Sequence, residues 1–172
     1  RLLGSHYNAN SLGIAYIASY LNKKGHNAWL YNADYVSDKN YGNLKKLFQN
    51  FSNYQNYFKD TDNALWHEVK DKILTFKPDW VGYTSYTANI SAIKIISEKV
   101  RAADPHIKQF VGGVHATLDK KLLNTLTSVD YSIQREGEEP VLALVENKDP
   151  KTIPGVISRG GKDSLSDMGM AP

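Results

Sequence analysis

Short apolar runs alternate with amphipathic helical stretches along this chain, and that alternation limits the possible folds more than any other feature. Trp80-Val81-Gly82-Tyr83, Gln109-Phe110-Val111 and Tyr131-Ser132-Ile133 are short, apolar and bounded by turn residues, as buried strands are. Ile90–Ala103 between them carries apolar residues at helical spacing and stops at Asp104-Pro105. Near the front, Leu12, Ala15, Tyr16, Ser19 and Tyr20 repeat at helical spacing, with Ile14, Ile17 and Leu21 widening the face. Ser11 is a candidate N-cap, and Gly25 after Lys23-Lys24 a C-terminal stop. Arg1–Leu3 reads as the stub of a first strand and Ala28–Tyr31 as a second short strand. Leu44, Leu47, Phe48 and Phe51 share one helical face, and Ala64 to Ile73 form another helix that ends at Phe76-Lys77-Pro78. Further helices are predicted over Leu118–Leu126 and Glu139–Val145, and a last strand over Gly155–Ser158.

Strand, helix, strand in repetition predicts an α/β class: a doubly wound, Rossmann-like parallel sheet of about five strands with helices on both faces. Ligands of such sheets bind outside the carboxyl ends of the strands. A chain of 172 residues, 41% apolar and 23% charged, suits one globular domain. Residues 1–160 are expected to form it, with 161–172 a linker out of the domain. The first residue is Arg1 and the last are Ala171-Pro172 after a loop-like tail, so both ends are expected to be fragment ends.

The formal charge of +3, with no Lys/Arg run longer than two, predicts no nucleic-acid partner and no polybasic membrane patch. No stretch approaches the roughly 18 apolar residues of a membrane span. No signal peptide is visible, and a cytoplasmic location is expected. The chain has no cysteine, which excludes disulfides, thiolate metal sites and iron–sulfur clusters from these residues. The phosphate loop, the dinucleotide-binding glycine pattern, the nucleophile elbow and the H-E-x-x-H helix are all missing.

Parallel strands would bring five segments to one edge: Ser5-His6-Tyr7-Asn8, Asn32-Ala33-Asp34, Thr84-Ser85-Tyr86-Thr87, Gly112-Gly113-Val114-His115-Ala116-Thr117 and Arg135-Glu136-Gly137-Glu138. That edge is rich in hydroxyls, glycines and carboxamides and poor in cations. It suits a large ligand with many hydrogen-bonding groups and little charge better than a polyphosphate. Several residues keep two readings. Gly112-Gly113 is either a tight turn or a close approach of backbone to ligand. Thr84, Ser85 and Thr87 offer hydroxyls to a ligand or cap the helix that follows. His115 is a ligand contact, a proton shuttle or a metal ligand, or else a loop histidine bonded to a nearby carbonyl, and His6 carries the same choice. Glu136 and Glu138 are an acid–base pair or complement the helix dipole beside them.

Taken in order, these segments resemble the cobalamin-binding domain of cobalamin-dependent radical-SAM enzymes. Leu12-Gly13-Ile14-Ala15-Tyr16-Ile17-Ala18 is similar to the family's "LGLAYLAA" and Lys24-Gly25-His26 to its "RGH". Lys77-Pro78-Asp79-Trp80-Val81-Gly82-Tyr83 is similar to "PDVVGIS", and Gly112 to Thr117 to "GGPHAT". Val129-Asp130-Tyr131 with Arg135-Glu136-Gly137-Glu138 is similar to "VDYVVRGEGE". Asp163-Ser164-Leu165 resembles the linker into the radical-SAM barrel, so the resemblance runs over residues 11–167.

The resemblance implies that the fragment is the N-terminal cofactor-holding part of a larger enzyme, a methyltransferase or a relative that forms or contracts rings. The implied cofactor is cobalamin, held by Ser5, His6, Asn8, Leu12, Gly13, Thr84, Ser85, Thr87, Gly112, Gly113, His115, Glu136 and Gly137. Gly112-Gly113 and Thr84–Thr87 would line its nucleotide tail, Ser5–Asn8 and His115 would lie near the corrin, and Glu136-Gly137 would close the far side. The full-length protein would also carry a [4Fe-4S] cluster and S-adenosylmethionine in a missing C-terminal radical-SAM domain. One departure changes the expected chemistry. The D-x-H-x-x-G motif that supplies a lower histidine ligand to cobalt is absent: Asp104-Pro105-His106 has Gln109 where the glycine belongs, and it precedes a strand. Cobalamin is therefore expected base-off with no protein histidine on the metal, and no metal-ligating or catalytic residue is assigned to this fragment. The alternatives are a stand-alone cobalamin carrier or sensor, or another doubly wound domain for a small ligand.

Overall fold

A computed structural model of the chain describes residues 11–33 and 55–159. The expected strand at Arg1–Leu3, the site residues Ser5, His6 and Asn8, the Leu44–Phe51 helical face and the tail from residue 160 lie outside the described residues. Four strands form the sheet, β1 (Trp80–Thr84), β2 (Lys108–Gly112), β3 (Tyr131–Ile133) and β4 (Val156–Ser158), in the order β1-β2-β3-β4. Around them lie α1 (Leu12–Lys23), α2 (Ala64–Thr75), α3 (Ile90–Ala103), α4 (Val114–Leu118), α5 (Leu122–Thr125) and α6 (Glu138–Val145).

The first two strand pairs are parallel, β1 to β2 from Trp80↔Lys108 to Thr84↔Gly112 and β2 to β3 through Phe110↔Tyr131. Three expectations need correction here. The last strand, β4, is antiparallel to β3, with Ile133 opposite Val156. It follows α6 through a short 3₁₀ turn at Pro150–Thr152, so no crossover returns the chain to the start of the sheet before it pairs. The expected strand at Ala28–Tyr31 joins no ladder among the described residues. Its backbone is held instead by a side chain: Asn22 accepts from the Ala28 N–H and donates back to the Ala28 carbonyl. The segment still has strand parity, with Ala28 in one core cluster and Tyr31 and Ala33 in another. Finally, the predicted helix Leu118–Leu126 is two short helices, α4 and α5, parted at Asp119-Lys120-Lys121, and α4 begins directly after Gly113.

Alternation along the strands builds the layers. Trp80, Phe110, Tyr131, Ile133 and Val156 point to one face, where Leu21 of α1 and Val141, Leu142 and Leu144 of α6 cover them. Val111 and Ile157 point to the other face, under Ile93 of α3, Ala116 of α4 and Leu122 and Leu123 of α5. Val81 shares that second face with Ile96 and Val100 of α3, and Trp66 and Val69 of α2 pack behind them. The register puts Phe110 beside Gly82, and a Cβ on Gly82 would come 2.4 Å from the Phe110 ring. The absent side chain makes room for the aromatic row Trp80, Phe110, Tyr131 across three strands.

Helix limits follow from local chemistry. In α3 the buried positions Ile93, Ile96, Ser97 and Val100 recur at helical spacing, and Asp104 turns extended ahead of Pro105. In α1 the inner face is Ile14, Ile17, Ala18 and Leu21, whereas Leu12 and Tyr16, expected to be buried, are exposed. No helix among the described residues is long and apolar enough to cross a membrane.

The amino ends of the strands are closed by charge. Arg101 donates to the Pro105, Ile107 and Ser128 carbonyls and to Asp130 Oδ2 at 2.6 Å. The same carboxylate oxygen accepts from the Gln109 N–H at 2.7 Å. Gln109, fully buried, accepts from the Tyr83 hydroxyl at 2.6 Å and donates to the Ser97 carbonyl. Each of these buried polar groups is thus satisfied.

Candidate cofactor-binding edge

The three parallel strands end side by side at Thr84, Gly112 and Ile133, and the loops after them meet as the sequence predicts. Ser85 joins the first two loops. Its N–H and its hydroxyl both donate to the Gly112 carbonyl, and its oxygen accepts from the Ala116 N–H at 3.0 Å. Its own carbonyl takes the His115 N–H at 3.1 Å. Ser85 is completely buried, so its hydroxyl shapes the turn from within rather than facing outward.

Gly113 is what allows this approach. Its φ is +97°, and a Cβ there would lie 2.9 Å from both the N and O of Ser85. Gly112 is ordinary by comparison, its nearest neighbour to an added Cβ being the Ile133 side chain at 3.7 Å. The β1 loop is pinned by Asn89, which donates to the Thr84 carbonyl and accepts from the Tyr86 N–H. Thr87, exposed, reaches His115: Oγ1 and Nδ1 are 3.1 Å apart, and the other ring nitrogen of His115 faces Asp119 at 4.0 Å.

The third loop is tied to the second by Gln134 and Thr117. Gln134 is buried and donates to the Ala116 carbonyl at 2.6 Å, and Thr117 Oγ1 accepts from the Arg135 N–H. Gly137 then caps α6, and its missing side chain admits Ile17 of α1, whose Cδ1 would lie 2.7 Å from a Cβ there. Tyr20 of α1 donates to the Glu139 carboxylate in the first turn of α6, and that bond raises the Tyr20 pKa above its ordinary value. Leu12 and Gly13, both exposed, open α1 one turn before Ile17. Glu136 is exposed in the same loop as Gly137.

Of the expected site residues, the structure therefore gathers Thr84, Ser85, Thr87, Gly112, Gly113 and His115 around the ends of β1 and β2, and Glu136 and Gly137 past β3. Asn32 and Ala33 follow no strand among the described residues. Gln134, Asn89 and Thr117 set the loop geometry, and none of them is among the site residues expected from the sequence. Asn89 carried a usable signal, a short polar residue directly before a helix, whereas nothing local marked Gln134. Asp104-Pro105-His106 sits ahead of β2, on the opposite edge, with Asp104 Oδ1 accepting from the His106 N–H. Among the described residues no group of three or more His, Cys, Asp or Glu side chains is placed to hold a metal. Shallow concavities of about 410 and 400 Å³ lie elsewhere, around Pro78 and Ile107 and around Pro140 and Ile153. What distinguishes the described edge is its donor set: hydroxyls, an imidazole and glycine backbone.

The family model of the B12 binding domain matches residues 3–145, from ahead of α1 to the end of α6. The chain belongs to the B12 binding domain family. This B12-binding domain is also 32% identical over 86 residues to the anaerobic magnesium-protoporphyrin IX monomethyl ester cyclase of Rubrivivax gelatinosus. The aligned part is 49% of this chain and 16% of the cyclase, so the chain corresponds to a small fraction of that relative.

Proposed function

We propose that this domain binds cobalamin base-off at the carboxyl edge of its sheet, as the N-terminal cofactor-holding part of a cytoplasmic radical-SAM enzyme. The observation that supports it is the convergence of the β1, β2 and β3 loops into a platform of neutral hydrogen-bonding groups in a B12-binding domain. The donor set fits the cofactor, whose periphery is amide-rich and whose tail carries a single phosphodiester. Thr84, Thr87, Gly112 and Gly113 would line the tail, with Ser85 fixing the shape of that lining from inside. Ser5, His6, Asn8 and His115 would lie near the corrin, Glu136 and Gly137 would close the far side, and Leu12 and Gly13 would complete the site at the start of α1. Bound cobalamin would supply a cobalt centre able to accept and donate a carbon group or an electron.

No histidine of the described carboxyl edge is assigned to cobalt, and the one Asp-x-His sequence lies on the other edge. The [4Fe-4S] cluster and S-adenosylmethionine would belong to a further domain. The cyclase relative supports an enzyme that remodels a ring as much as one that transfers methyl groups.

The test is incubation with hydroxocobalamin, desalting, and a visible absorption spectrum. Retained corrin absorption with a base-off profile supports the reading. A colourless protein that also shows no saturable binding in equilibrium titration overturns it. A histidine nitrogen coupled to Co(II) in the electron paramagnetic resonance spectrum would leave cobalamin in place and overturn the ligand assignment.

A further inference from the structure

His115 has a hydroxyl on one ring nitrogen and a carboxylate toward the other. Thr87 Oγ1 is 3.1 Å from Nδ1, and Asp119 Oδ2 is 4.0 Å from Nε2. The Asp119 carboxylate lies beyond hydrogen-bond reach, and its charge favours the neutral tautomer that carries the proton on the nearer nitrogen, Nε2. Nδ1 is then an acceptor, so Thr87 must give its hydroxyl hydrogen to the ring. The lone pairs of Thr87 Oγ1 are left for whatever lies at the edge.

We propose that His115 and Asp119 fix Thr87 as a hydrogen-bond acceptor for the carboxamide N–H groups of cobalamin, so that the edge selects amides over carboxylates on the ligand. This rests on the reading that cobalamin binds here. Thr87 is the contact, and His115 and Asp119 are positioning residues.

The probes are cobalamin and its separated propionamide monocarboxylates. Thr87→Val is expected to weaken cobalamin about five- to tenfold, the worth of one neutral hydrogen bond. His115→Phe should weaken it by a similar factor. In the double variant the loss should match Thr87→Val alone, because His115 acts through Thr87. In the wild type at least one monocarboxylate should bind about tenfold more weakly than cobalamin at neutral pH. His115→Phe should remove that preference, because Thr87 is then free to turn its hydroxyl hydrogen outward.

Histidine ¹⁵N chemical shifts, assigned by difference from the His115 variant, give a readout without ligand, and the Nε2–H tautomer is expected. Additive losses, a preference that His115→Phe leaves unchanged or an Nδ1–H tautomer each overturn the proposal while leaving cobalamin binding intact. A wild type that binds no cobalamin overturns both readings. Thr87 is exposed and His115 half-buried, so the variants should keep the wild-type circular dichroism.

Discussion

Ser85 and Gly112, on neighbouring strand ends, are joined twice through one oxygen: the Ser85 N–H and the Ser85 hydroxyl both donate to the Gly112 carbonyl at 2.7 Å. The same hydroxyl accepts from the Ala116 N–H. Ser85→Ala strips a buried N–H of its partner and should cost about 1–3 kcal/mol in urea unfolding. Cobalamin affinity should fall as well, because the turn that carries Gly113 and His115 loses its inner support. A variant of unchanged stability would show that the backbone bond alone holds the turn.

Gly113 and Gly137 both forbid a side chain, with different neighbours behind the prohibition. At Gly113 an added Cβ meets backbone atoms of Ser85 at 2.9 Å, and φ is positive. At Gly137 it meets the tip of Ile17. Gly113→Ala should therefore cost about 2–4 kcal/mol and Gly137→Ala about 1 kcal/mol. Ile17→Val, which removes the clashing methyl, should recover much of the second loss and none of the first. Denaturation midpoints of the four variants decide this.

Arg101→Met leaves three carbonyls and Asp130 without their guanidinium and should cost about 2–3 kcal/mol. Asp130→Asn keeps one acceptor for the Gln109 N–H and should cost less. Because this network closes the amino edge of the sheet, cobalamin affinity measured below the unfolding transition should stay within about twofold. A larger change would tie the two edges together.

Burial pushes the Tyr83 phenol well above its ordinary range, against the opposing pull of Arg101. The folded chain then keeps a proton that the unfolded chain releases above about pH 10. The stability due to Tyr83 is complete below that value and should fall as pH rises beyond it. Tyr83→Phe removes the donor to Gln109 and should cost about 1–2 kcal/mol at neutral pH. It should also flatten the alkaline limb, so the two proteins converge in urea midpoint above pH 10. Parallel pH curves would exclude Tyr83 as the source.

The sequence by itself determined the elements whose signals are local. Ile90–Ala103 stops at Asp104 because a proline follows, Tyr131–Ile133 is a strand because its apolar run is short and bounded, and α2 ends before Phe76-Lys77-Pro78. It also located the edge, since every βα loop of a parallel sheet emerges on one side. The pairing of Ala28–Tyr31 lay beyond it, because a strand exists only by pairing, and among the described residues the backbone of Ala28 is paired by the Asn22 side chain. The direction of β4 was equally hidden, as an apolar triplet reads alike in a parallel or an antiparallel ladder. The division of labour at the edge was decided by tertiary structure alone. A hydroxyl on paper can face a ligand or a backbone. Only the approach of Gly113 to Ser85 turns that serine inward, and only the meeting of the 3₁₀ turn at Thr87–Asn89 with α4 puts Thr87 against His115.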